Sequence, residues 1–189
     1  MMNFPGVING DETTLRKIQI VGSRPRDGHA PGITGRHLNA YLTSLIGSDH
    51  ETTQYHEGLE KLRRGMRLMI REGSSEKNLE ELIPLVNSNN YHRCLFVTDD
   101  RNALDLVHDG DVDAVIRKAI TLGMDPIRAI QMATLNAAEY FNIQGLGAIG
   151  PGYYANARQP VFFIQKNCAF RYASLLWIKP YPRVIGAKW

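Results

Sequence analysis

Four short stretches of this chain carry groups able to ligate a metal or move a proton. Asp27-Gly28-His29-Ala30-Pro31-Gly32 presents a histidine in a turn, where Gly28 and Gly32 permit unusual backbone angles and Pro31 stiffens the path. Ser48-Asp49-His50-Glu51 presents a second histidine beside carboxylates, Arg71-Glu72-Gly73-Ser74 a glutamate, and Thr98-Asp99-Asp100-Arg101 an aspartate pair. His29, His50, Glu72 and Asp99 follow one another at intervals of 21, 22 and 27 residues, the length of a strand–helix unit with short loops. In parallel α/β folds the residues that end successive strands share one rim. The spacing therefore predicts two histidines and several carboxylates around one mouth, a donor set suited to a divalent metal and to general acid–base chemistry.

Short apolar runs must deliver these residues, and helices must return the chain between them. The first strand is expected at 19–22, after a short helix over 11–17 that Asp11 caps. Thr34 caps a helix over 35–46, with Leu38, Tyr41, Leu42, Leu45 and Ile46 as its apolar stripe. A very short second strand ends near His50. Thr52 or Thr53 caps the next helix, whose apolar face is Tyr55, Leu59, Leu62 and Met66, with Gly65 just past its end. The third strand is expected at 66–70 and the fourth at 93–98. Between them Ser74 or Ser75 caps a helix to about residue 86, in which Pro84 marks a kink or an early stop. After Arg101 the pattern is helical, over 111–122 and again over 125–141, where Asp125 is the N-cap and Pro126 the first helical residue. Glycines at 145, 147, 150 and 152 break the chain into turns. A strand is expected over 159–165. Residues 158–189 are rich in aromatic and basic side chains and show no periodicity.

The chain has 189 residues, enough for one domain with a real core, and its 43% hydrophobic and 22% charged residues are those of an ordinary globular protein. The net charge of +3 comes from scattered basic residues. The one run, Lys61, Arg63, Arg64 and Arg67, reads as a solvated helix end, so no nucleic-acid partner is expected. Cys94 lies in an apolar run and reads as a buried thiol, and neither it nor Cys168 has a paired spacing, which points to a reducing compartment. Residues 1–6 show no signal-peptide pattern and no apolar run is long enough to span a bilayer, so the expectation is a cytoplasmic protein without a membrane partner. Four strand–helix units are half of a closed eight-stranded barrel, which typically takes about 250 residues. Either the sheet is smaller and open, or the chain is part of something larger.

The four motifs, together with Leu38-Asn39-Ala40-Tyr41 and Met132-Ala133-Thr134-Leu135-Asn136-Ala137-Ala138-Glu139, resemble the adenine deaminases of the amidohydrolase superfamily, in order and at family-like spacing from Met1 to about Gly152. The resemblance implies an α/β fold: a partial TIM (β/α)8 barrel, about strands 5–8, over 1–152, followed by a divergent, irregular or β-containing tail over 153–189. It implies two divalent metal ions (manganese, iron or zinc) at the mouth of the complete barrel, with His29, His50 and Asp99 as ligands. The family's proton-transfer aspartate falls on the Asp99-Asp100 pair; Asp99, the first after the strand, is preferred for it, and Asp100 shares that role or orients its neighbours. The implied reaction converts adenine and water to hypoxanthine and ammonia. It needs hydroxide at neutral pH, which a metal supplies by lowering the pKa of water from about 15.7 towards 7. Glu72 and Ser74, on the same rim, are candidates for contact with the purine edge.

The family's first-strand His-x-His pair and its metal-bridging glutamate have no counterpart in this sequence, and its Pro-Gly-x-x-Ala-Asp becomes Pro151-Gly152-Tyr153-Tyr154-Ala155-Asn156. The expectation is therefore a truncated adenine deaminase barrel, lacking its amino-terminal half or completed by a homo-oligomer. The alternatives are a non-catalytic remnant and another amidohydrolase acting on cyclic amides. The other deaminase type, built on His-x-Glu and Pro-Cys-x-x-Cys, is excluded by the cysteine count and spacing. His37, His56, His92 and His108 are expected to be solvated, and Asn136 and Glu139 to serve helix packing and solubility.

Overall fold

The computed structural model describes residues 1–154. Its longest ladder forms where apolar residues are densest. Strand β3, Arg67–Arg71, pairs in parallel with β4, Cys94–Val97, from Leu68 opposite Cys94 to Arg71 opposite Val97. Two shorter strands complete the sheet, β1, Asp27–Gly28, and β2, Ser48–Asp49, in the order β1-β2-β3-β4 with every pair parallel. The sequential, parallel rhythm is the one that the spacing predicts, and it fits a partial TIM-barrel type of fold.

The described residues also form nine α-helices. They are α1 (Phe4–Ile8), α2 (Glu12–Val21), α3 (Gly35–Thr43), α4 (Tyr55–Arg63), α5 (Leu79–Leu82), α6 (Ala103–His108), α7 (Val112–Thr121), α8 (Pro126–Ala133) and α9 (Leu135–Tyr140). Several differ from the sequence expectation. Residues 19–22 are not a strand. Helix α2, whose Asp11 cap accepts a hydrogen bond from the Thr14 N–H at 2.7 Å, runs on to Val21. Ile18 is buried while Ile20 and Val21 are exposed, so this apolar run is one helix turn with a single buried face. The helix expected to reach residue 86 is one α-turn followed by a 3-10 turn, Ile83–Leu85, because Pro84 has no N–H to continue it. The helix expected over 125–141 breaks at Thr134 into α8 and α9. Helix α6, which the sequence reading does not single out, has no buried residue and leaves Leu104, Leu106 and Val107 exposed.

Strand alternation sends Leu68 and Ile70 to one face of β3, where they join Cys94, Phe96 and the apolar sides of α5, α7 and α8 in one core cluster. Arg71 leaves the opposite way. A second cluster, with Val7, Ile18, Leu38, Tyr41 and Ile46, lies beneath α1, α2 and α3. Asn136 locks α9 to the sheet: its buried amide donates to the Tyr91 carbonyl at 2.8 Å and the Cys94 carbonyl at 2.9 Å. The Cys94 thiol is buried, as expected, and burial pushes its pKa up to about 12, which leaves it protonated and unreactive. No helix of the described residues is long and apolar enough to cross a membrane. The expected strand at 159–165, Cys168 and residues 155–189 of the tail lie outside the described residues.

Gly28 sets how closely β1 can approach β2. A Cβ there would sit 2.4 Å from the Ser48 carbonyl oxygen, a backbone atom with no freedom to yield. Gly28→Ala should therefore displace β1 and cost about 1–3 kcal/mol, the usual range for overpacking. Thermal melts of the two proteins check this, and an unchanged melting temperature would refute it.

Candidate metal centre

The carboxyl ends of β1 and β2 turn outward one residue after the ladder stops, and each turn begins with a histidine. His29 Nδ1 and His50 Nε2 lie 3.4 Å apart. Glu51 Oε1 lies 3.3 Å from the first and 3.5 Å from the second. These three atoms form a nearly equilateral triangle, and among the described residues they are the group placed to share one metal ion. Tetrahedral coordination with ligand bonds of about 2.0–2.1 Å puts ligand atoms about 3.4 Å apart, so the donor set fits a divalent cation with a coordination position left open.

The triangle is held from behind. His50 Nδ1 lies 2.8 Å from Asp27 Oδ2; a carboxylate only accepts, so Nδ1 carries the proton and Nε2 keeps its lone pair facing the cluster. Asp27 Oδ1 accepts from Ser48 Oγ at 2.6 Å, and Ser48 in turn meets the Tyr140 hydroxyl of α9 at 2.6 Å. Burial pushes the Asp27 carboxyl up, but the hydrogen bonds from His50 and Ser48 outweigh it and the net shift is downward. The same hydrogen bond to Asp27 raises His50 above an ordinary imidazole, against the lowering effect of burial. The His29 N–H donates to the buried Tyr41 hydroxyl at 3.2 Å, and Tyr41 donates to the Met1 carbonyl at 2.8 Å.

Arg71, almost fully buried at the end of β3, joins the cluster to the last strand. Its Nη1 donates to Glu51 Oε1 and lies 3.2 Å from Asp99 Oδ2, while Nε donates to Asn78 Oδ1 at 2.8 Å and Nη2 pairs with Glu76 at 3.0 Å. Asp99 thus reaches the mouth through Arg71 rather than as a corner of the triangle. It ends β4 in a left-handed turn, with φ of 53°.

The other expected site residues have different partners. Asp100 accepts from the Ser75 hydroxyl, from the Ser75 N–H at 2.8 Å and from the Ser74 N–H at 3.1 Å. These bonds, with one from the Glu76 N–H, hold its carboxyl down at about 2. Ser74 Oγ accepts from the Asn102 N–H at 2.9 Å. Gly73 leaves the room this needs, because a Cβ there would fall on Asp100 Oδ1 and 2.7 Å from the Thr98 carbonyl oxygen, a backbone atom. Glu72 follows Arg71 on the chain and turns to the helices, pairing with Lys118 at 2.6 Å and accepting from the Leu79 N–H at 3.1 Å. The structure therefore brings His29, His50 and Asp99 to one mouth and leaves Glu72, Ser74 and Asp100 engaged beside it. His37, His56, His92 and His108 are exposed, as expected.

Sequence reasoning missed Glu51, Asp27, Arg71 and Lys61. Lys61 was expected on a solvated helix end, and it is instead fully buried, because α4 turns it inward onto Asp49 and Glu57 at 2.8 and 2.5 Å. Strand alternation was the available signal for Asp27, which stands two residues before His29 on the same side of β1.

Residues 15–158 match the Amidohydrolase family, and the chain belongs to it. It is 60% identical over 156 residues to an adenine deaminase of Dehalococcoides mccartyi, a match covering 82% of this chain and 27% of that protein. Adenine deaminases of Oceanobacillus iheyensis and Kosmotoga olearia are 50% and 47% identical over 158 residues, again over 82% of this chain and 27% of theirs. The chain thus spans about a quarter of the length of the curated relatives it matches.

Proposed function

We propose that this chain carries the His29–His50 side of a metal-dependent adenine-deaminating site, in which adenine and water give hypoxanthine and ammonia. The observation that carries the reading is the triangle of His29 Nδ1, His50 Nε2 and Glu51 Oε1 on the rim of a parallel sheet, in a chain of the amidohydrolase family. The purine is the substrate class of the adenine deaminases to which the chain is similar. A divalent cation (manganese, iron or zinc), when bound, would acidify a water for attack near neutral pH. His29 and His50 would hold it by ring nitrogens, with Asp27 fixing the His50 tautomer. Asp99, partly exposed beside Arg71, would take the proton from water and return it to the departing amine. Asp100 would keep the loop after β4 in place through Ser74 and Ser75. The second ion of the complete family site, and the strands that would ligate it, belong to the same proposal. In this reading 1–152 is barrel and 153–189 its divergent tail, in a cytoplasmic protein.

Calorimetric titration of the chain with manganese and zinc tests the site. One ion per chain is expected. His50→Ala should weaken binding more than about 100-fold, because losses at supporting residues alone reach that size. Glu51→Gln should weaken it by about tenfold or more. Binding that His50→Ala leaves unchanged would place the ion elsewhere, and no binding at all would favour the non-catalytic remnant.

A further inference from the structure

The turns after β1 and β2 are separate stretches of chain, yet the triangle needs them in fixed register. What lies between them is Lys61 of α4, whose ammonium is fully buried. Its Nζ reaches the Ala30 carbonyl at 2.8 Å, Asp49 Oδ2 at 2.8 Å, Thr52 Oγ1 at 3.0 Å and Glu57 Oε1 at 2.5 Å. The carboxylates pass the hold onward. Asp49 accepts from the N–H groups of Ala30 at 2.8 Å and Glu51 at 3.1 Å, and Glu57 accepts from the Gly32 N–H at 2.8 Å. Ala30 follows His29, Asp49 precedes His50, and Glu51 is itself a corner of the triangle. Each donor to the ion thus has its own backbone, or its immediate neighbour's, tied to this one network.

We propose that Lys61 is a positioning residue for the metal centre, a buried ammonium that clamps the β1 and β2 turns together so that His29, His50 and Glu51 converge before any ion arrives. An apolar side chain would fill the space as well, and an ion buried among acceptors is weak evidence for stability alone. What the charge adds is direction, since an ammonium with acceptors from both turns fixes their separation. The proposal rests on the metal site argued above.

The test uses the full chain, with Lys61→Met to keep the stem and remove the charge, and Leu82→Ala as a destabilising control, a buried core residue with no bond to the Lys61 network or the triangle. Zinc and manganese affinities are measured by calorimetry. Lys61→Met should lose about tenfold or more, within the range for supporting residues of metal sites, while Leu82→Ala stays within about twofold of the parent. Equal losses in the two variants, or no loss in Lys61→Met, would overturn the proposal. If Lys61→Met does not fold, Glu57→Gln takes its place, with a loss of about threefold or more expected and unchanged affinity overturning it. Nitrogen NMR of the histidine rings in metal-free protein separates the two readings. A parent chain that binds no ion sinks the metal site, and the clamp then stands or falls on whether the charge-removing variant shifts the His29 and His50 ring signals. Unchanged signals overturn it.

Discussion

Asp99→Asn should lower adenine turnover by about 10²–10⁴-fold, the span usual for a lost general acid–base group. The measurement calls for the 156 matched residues placed in the Dehalococcoides mccartyi relative in exchange for their counterparts, with ammonia release from adenine as the readout. The chimera with Asp99 intact should turn over adenine, because the exchanged segment is 60% identical and brings its own His29, His50 and Asp99. Asparagine keeps the shape of the side chain and its place beside Arg71 but cannot carry a proton. The chain by itself, with manganese added, should release no ammonia above the blank. Among the described residues its triangle offers ligands for one ion, and the His29 and Asp99 side chains are partly exposed to water, which weakens charge interactions with the reacting groups. Robust turnover by the chain alone, lost in Asp99→Asn, would show that it completes its own site. A chimera active on a cyclic amide and not on adenine would transfer the reading to that branch of the family.

Asp27→Asn should weaken zinc or manganese binding by about 10–100-fold without touching a ligand. The carboxylate holds His50 with the proton on Nδ1, and an amide, which can present either oxygen or NH2, does not enforce that tautomer. The pH dependence follows from the same contact. Asp27 raises the His50 pKa, so a metal must displace a proton there, and affinity should fall as the pH drops through that raised value. In Asp27→Asn this fall should begin at a lower pH. For stability the sign is opposite. A raised folded-state pKa adds stability that is fully present below the unfolded imidazole value of about 6.5 and is lost as pH rises through the folded value. Calorimetry across pH 5–8 on both proteins measures the binding effect. Identical profiles would mean that Asp27 does not set the His50 proton.

How much of this was legible beforehand depended on whether the signal was local. His29, His50 and Asp99 stood in short motifs whose spacing already implied a common rim, and the parallel order followed from the same intervals. Strand β1 lies later than the sequence implies because its two residues, Asp27 and Gly28, are of types depleted in strands, whereas the apolar run before them has strand propensity and is helix. Lys61 read as solvated because its helix is basic at that end, and only the three-dimensional return of α4 against β2 shows it facing Asp49. Position along the chain does not tell which way a side chain faces at the end of β3: Arg71 meets Glu51 and Asp99 while its neighbour Glu72 meets Lys118 and the Leu79 N–H, since alternation sends consecutive side chains to opposite faces. Partners such as Tyr140 for Ser48 lie 92 positions away and have no sequence signature.

The strand lengths described above also set an order of assembly. Neighbours in the sheet are neighbours in sequence, so each pairing closes a short loop, and the chain can add strands as it emerges without long searches. The four-pair ladder of β3 with β4 is the natural nucleus, and the two-pair ladders of β1 with β2 and of β2 with β3 are the last to gain backbone protection and the first to open. Both histidines therefore hang from the most loosely laddered edge of the sheet. An ion that bridges them would act as a late-folding clasp, making amide exchange in β1 and β2 slow to the level of the centre.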